Sequence, residues 1–211
     1  YQVGEAAMKG LMAGTLAGDG FLGASDAIDG RHGFLGGYSG DADPAKAISD
    51  LGTVWETMRI GVKPYPACRY THAALDGLLA LRRAHGWRPG DIARISVGLH
   101  RNGIALVGAP LEVKRRARSV VDGQFSMPFA AAVALQRGGF GWDDYDLLGQ
   151  PLTDRLSDRV EIRHDTMLEG LRHPFGATLE VEAGGQTHAQ RIHDPTGHPE
   201  PKPPPHASAR K

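Results

Sequence analysis

One cysteine, Cys68, stands in 211 residues, so no disulfide can close within the chain, and a reducing, cytoplasmic setting is expected. Excess charge of either sign is also lacking. The 24 Lys plus Arg are matched by 24 Asp plus Glu, which argues against nucleic acid or an anionic membrane as a partner. No apolar run approaches the roughly 20 residues of a bilayer span; stretches such as 129–135 fall far short of it. No signal peptide is visible, although Tyr1 is not a natural start. Zinc and iron motifs are missing, and Gly18-Asp19-Gly20 and Gly36-Gly37 follow no strand that would make them a phosphate loop. What is abundant is Gly (29) and Pro (14), which implies many turns and close backbone approaches rather than a simple bundle.

The chain opens on a small-residue helix, 3–16, that would leave Leu11, Met12 and Leu16 in solvent if nothing covered them. A turn, a short helix near 24–28 and a Gly-rich loop follow, then a short helix at 44–50 with Pro44 in its first position. Ala74, Leu75, Leu78, Leu79 and Leu81 recur at helical spacing and predict an amphipathic helix over about 71–85, with Thr71 as its N-cap. Residues 92–99 alternate apolar and polar and read as a strand. Pro128 fixes the start of a second long helix near Met127, and 142–148 reads as a short helix. Strands are expected at 160–164, 177–183 and 186–192, the last two joined by Gly184-Gly185. The final Pro-rich stretch, 199–211, has nothing to pack and reads as disordered.

Residues 63–72 are the richest in chemistry. Pro64 and Pro66 hold an extended approach that delivers Cys68, Arg69 and His72 to a helix N-terminus. Lys63, Arg69 and the free N–H groups there form a seat for carboxylates, and His72 is held neutral as a general base. The competing reading has Arg69 and His72 satisfying loop carbonyls at a domain junction. Cys68 reads as a nucleophile activated by the helix end or, more simply, as a small apolar side chain. His188, His193 and His198 are spaced five apart, but a strand would put the first two on opposite faces, so no metal is expected. The run 114–118, Lys-Arg-Arg-Ala-Arg, reads as a solvated face, with an anion or oligomer contact as the alternative. Gln124 and Ser126, ahead of the second helix, either present polar groups to a cleft or cap that helix.

Four ordered stretches carry a resemblance to a known family. KPYPACRYTHAALDGLLALR (63–82) resembles the junction motif of the MmgE/PrpD family, which includes 2-methylcitrate dehydratase, cis-aconitate decarboxylase and iminodisuccinate epimerase. GEAAMKGLMAGTLAGDGFLGA (4–24), GQFSMPFAAAVAL (123–135) and the hairpin region from Gly176 to Lys202 are similar to further family motifs. The resemblance implies an α+β fold in which 1–62 is the C-terminal part of an all-helical domain. Residues 63–198 would then be a small α/β-sandwich lid domain with a mostly antiparallel sheet. It also implies that a large N-terminal helical region, and a final helix after the hairpin, belong to the intact protein, a homodimer.

The implied function is lyase or isomerase chemistry on a small di- or tricarboxylate, without a cofactor: dehydration or epimerisation by proton abstraction next to a carboxylate. His72 matches a family histidine facing the inter-domain cleft. Lys63, Tyr65 and Arg69 lie in the junction motif as substrate-binding groups, and Gln124 and Ser126 match the helix start on the lid side. Pro128 stands where the decarboxylase has tyrosine, which places decarboxylation behind the other two reactions. The alternative is a non-catalytic anion-binding or dimerisation module.

Overall fold

The computed structural model describes residues 1–171 and 174–199; the proline-rich tail from residue 200 onward lies outside the described residues. Two compact units divide the chain, Tyr1–Thr57 and Met58–Lys211. In the first, α1 (Gln2–Gly18) buries none of its residues, and Leu11, Met12 and Leu16 are exposed. Two five-residue helices follow, α2 (Phe34–Tyr38) and α3 (Pro44–Ile48). Pro44 opens α3, and the Asp43 side chain caps it by accepting the Ala45 N–H at 3.0 Å. Residues 24–28, expected to be a helix, form turns instead. The Ala27 and Ile28 carbonyls accept the N–H groups of Phe34 and Leu35, at 2.8 and 2.9 Å, so they are consumed by the later chain rather than by a helical ladder. That pairing builds α2 inside what the sequence suggested was loop.

The second unit contains helices α4 (His72–His85), α5 (Arg101–Gly103), α6 (Leu111–Lys114), α7 (Val120–Gln124), α8 (Met127–Arg137) and α9 (Pro151–Asp158). Its strands are β1 (Ile92–Leu99), β2 (Val160–His164), β3 (Ala177–Ala183) and β4 (Gln186–Ile192). They make one sheet in the order β2-β1-β3-β4. Only the β1/β2 pair is parallel, so the sheet is mostly antiparallel and the unit is α+β. Gly184 and Gly185 both have positive φ, 58° and 77°, which the two-residue turn between β3 and β4 requires.

Alternation decides the sheet's faces. Ala177, Leu179, Val181 and Ala183 of β3 are buried towards α4, which packs on β3 and β4, while α8 packs on α4, α9 and β2. The opposite face is a lattice of charge: Arg94 pairs with Glu161 and Glu182, Arg163 with Glu180, and Arg191 with Asp165. Helix α8 is buried on all sides from Met127 to Leu135, and its four alanines let its neighbours approach closely. In the basic run before it Arg116 and Arg118 stay solvent-exposed while pairing with carboxylates, and Lys114 and Arg115 are half-buried. Arg116 and Arg118 pair with Asp158 and Asp154 of α9, while Lys114 and Arg115 donate to the Leu106 and Val160 carbonyls.

Candidate functional site

Two prolines and two distant stretches build the site. Pro64 and Pro66 keep residues 62–67 out of helix, and neighbouring groups then fasten this segment at several points. The Val62 N–H donates to the Gly197 carbonyl at 2.9 Å, the Cys68 N–H to the Gln124 carbonyl at 2.8 Å, and the Tyr145 hydroxyl to the Pro66 carbonyl at 2.6 Å. Facing this segment are Gln124 and Phe125 at the end of α7, and Gly141 and Trp142 at the turn beyond α8. The two sides enclose a cleft of about 410 Å³. Lys63, Tyr65, Cys68 and Gln124 line it; Arg69, His72 and Ser126 do not.

Ser126 is fully buried and caps α8, accepting the Phe129 N–H at 3.0 Å and donating to the Lys114 carbonyl at 2.6 Å. Of its two readings, the cap describes its contacts in this chain. Thr71, expected to cap α4, does not do so with its side chain. Its hydroxyl donates to the Cys68 carbonyl at 2.9 Å, because a 3₁₀ turn over Arg69–Thr71 precedes the helix.

Arg69, His72 and Asp76 fall at spacings of three and four, one stripe along the start of α4. All three grip the cleft wall from behind. The Arg69 guanidinium donates to the carbonyls of Val62 (3.1 Å), Thr196 (2.9 Å) and Pro195 (3.4 Å). His72 is fully buried with its Nε2 3.2 Å from the Ala67 carbonyl, which can only accept, so Nε2 carries the proton. Its Nδ1 then faces Arg69 Nη1 at 3.4 Å. Burial holds the imidazole neutral down to about pH 4; the hydrogen bond to the Ala67 carbonyl is the main opposing influence, and the Arg69 and Lys63 charges add smaller support to burial. Neither ring nitrogen is free to take a proton from a ligand in the cleft. The Tyr65 hydroxyl donates to Asp76 at 2.6 Å, and burial together with that carboxylate pushes its ionisation well above the usual range. The Tyr65 ring meets His72 edge-on, with centroids 5.1 Å apart.

Sequence reasoning missed Asp76, Phe125, Tyr145 and Trp142. Asp76 was within reach, since it lies seven residues after Arg69 on the same stripe; the two aromatics and Trp142 meet the wall only through the fold. Elsewhere, His188 packs against His85 and Trp87 with centroids 4.2 and 5.0 Å away. Among the described residues no group of three or more His, Cys, Asp or Glu is arranged to hold a metal ion. No helix among them is long and apolar enough to cross a membrane.

Comparison with known proteins covers the same region. Residues 65–204 match the model of the MmgE/PrpD C-terminal domain. The chain is 28% identical over 192 residues to a cis-aconitate decarboxylase-like protein of Aspergillus oryzae. That alignment takes in 84% of this chain but 39% of the fungal protein, so the chain spans about two fifths of its relative's length.

Proposed function

This chain belongs to the MmgE/PrpD family, and from that premise we propose that its cleft forms one wall of the site of a lyase or isomerase acting on a small di- or tricarboxylate. The observation that carries the reading is the convergence of Lys63 and Gln124, sixty residues apart in sequence, on one cleft. An ammonium group and a primary amide, set among proline and aromatic walls, hold and orient a carboxylate. Lys63 supplies the charge, Gln124 a hydrogen-bond donor, and Tyr65 an aromatic surface. The reaction class is proton abstraction beside a carboxylate, with cationic groups stabilising the enediolate-like intermediate. His72 and Arg69 enter as supports of the wall that carries Lys63 and Tyr65. Dehydration, epimerisation and decarboxylation all begin from such a bound carboxylate, and the name of the fungal relative keeps the last among them.

The test is calorimetric titration of the full chain with citrate and cis-aconitate, alongside a turnover assay that follows the conjugated double bond in the ultraviolet. Lys63→Ala is expected to weaken binding by about tenfold or more, the worth of a charge-assisted contact. Equal affinity in the variant removes Lys63 from the role. A second reading, a non-catalytic anion-binding module, is favoured by the engagement of both His72 ring nitrogens. Binding of any of these acids, or of 2-methylcitrate or iminodisuccinate, without turnover even in the intact protein decides for it.

A further inference from the structure

Asp76 has neither oxygen to spare. One accepts the Tyr65 hydroxyl proton at 2.6 Å, the other the backbone N–H of Thr196 at 2.6 Å. Tyr65 lines the cleft, whereas Thr196 belongs to the loop that follows β4. Two turns earlier on the same stripe, Arg69 donates to Val62 on the cleft side and to Pro195 and Thr196 on the loop side. An anionic side chain of α4 and a cationic one of the turn before it therefore bind the same two segments, 62–65 and 195–196. Each takes the groups that match its sign, the carboxylate accepting and the guanidinium donating. Between them the loop at 195–197 is bonded to the back of the wall whose front faces the ligand. Val62 closes the circuit by donating its N–H to the Gly197 carbonyl at 2.9 Å.

We infer that Asp76 is a positioning residue of the cleft, acting through Tyr65, and that the loop at 195–197 is part of the site although it does not line it. The inference rests on the carboxylate-binding role given to the cleft above. With its proton committed to Asp76, the Tyr65 hydroxyl is not offered to the ligand; what Tyr65 contributes is a ring held at a fixed angle, backed by the edge-on contact with His72. Take away the carboxylate and the hydroxyl loses its acceptor. The ring is then free to rotate, and the Thr196 N–H is left without a partner beside the wall. No group in this chain of contacts touches the ligand except Tyr65, so the effect on binding passes through a single bond.

The experiment compares citrate binding to the full chain in the wild type, Tyr65→Phe, Asp76→Asn and the double variant, with the backbone amides followed by NMR. Asparagine matches the carboxylate in shape but carries no charge, so its single amide oxygen can keep only one of the two hydrogen bonds and keeps that one weakened. Each single variant is expected to weaken citrate binding by about three- to tenfold, as befits a bond to a charged acceptor. The double variant should be no weaker than the worse single, because both remove the same link. The Thr196 amide should exchange faster in Asp76→Asn and be unchanged in Tyr65→Phe. Wild-type affinity in Asp76→Asn, or additive losses in the double, overturns the inference. If Asp76→Asn does not fold, Tyr65→Phe decides alone, since it removes one oxygen and should still lose affinity. If the wild type binds no citrate, it is the functional reading that fails; the link itself is then judged by the Thr196 amide, and an unaltered exchange rate in Asp76→Asn refutes it.

Discussion

Acid should destabilise the second unit through His72 before most carboxylates titrate. In an unfolded chain its imidazole protonates near pH 6.5; in the fold, burial holds the midpoint at about 4. A base whose folded midpoint is depressed binds its proton more readily when unfolded. Its contribution is therefore intact above pH 6.5 and is lost as the pH falls from 6.5 towards 4. At about 1.4 kcal/mol per pH unit, the full loss is about 3 kcal/mol, most of it already gone at pH 4.5. The ring is 0% exposed, so solvent screening takes little from this figure. Urea unfolding at a series of pH values between 7.5 and 4.5, for wild type and His72→Gln, isolates the term. Glutamine can still donate to the Ala67 carbonyl but does not titrate. The gap between the two proteins should narrow by about 2–3 kcal/mol over that range. Parallel curves, or an NMR titration of the His72 ring with a midpoint at 6 or above, refute the reasoning.

Two further substitutions test how the cleft and sheet are built. Ser126→Ala removes the cap of α8 and its bond to Lys114, and should lower stability by about 1–2 kcal/mol in urea unfolding; a change below about 0.3 kcal/mol contradicts the capping role. Gly98→Ala places a methyl against the Thr178 hydroxyl and about 3.0 Å from the Arg163 guanidinium, disturbing the pairs those groups make with Asp165 and Glu180. It should cost about 1–3 kcal/mol, and an unchanged urea midpoint shows that the sheet's charged face can yield.

Much of the fold is legible in the sequence because its cues are local. Alternation in 92–99 and 177–183, the Gly184-Gly185 turn, Pro128 at a helix start and the leucine spacing of 74–81 each act within a few residues. What was not legible depends on distant partners. Whether Arg69 meets a ligand or a carbonyl turns on Pro195 and Thr196, more than 120 residues later. That the exposed Arg116 and Arg118 of the run 114–118 are paired depends on α9 supplying Asp158 and Asp154, about 40 residues later. Helix α9 is amphipathic but only eight residues long, and the turns from Arg101 to Lys114 are shorter still, so each offers too few residues to read. In the site, Lys63, Tyr65 and Gln124 reach the cleft, while His72 and Arg69 stand behind it; residue type alone does not separate a group that touches a ligand from one that braces it.

The complete burial of α8 also bears on how the cleft is held. Nine consecutive residues, from Met127 to Leu135, are packed on every side, so their amides should be among the slowest in the chain to exchange with solvent. Gln124 and Phe125 sit immediately ahead of that column, joined to it through Ser126. The facing wall at 62–68 is held by individual hydrogen bonds to the 195–197 loop, to the Gln124 carbonyl and to the side chains of Arg69, His72, Asp76 and Tyr145. The Cys68 N–H bonds to the Gln124 carbonyl, so the wall that carries Lys63 is fastened directly to the residue that precedes this slow-exchanging column.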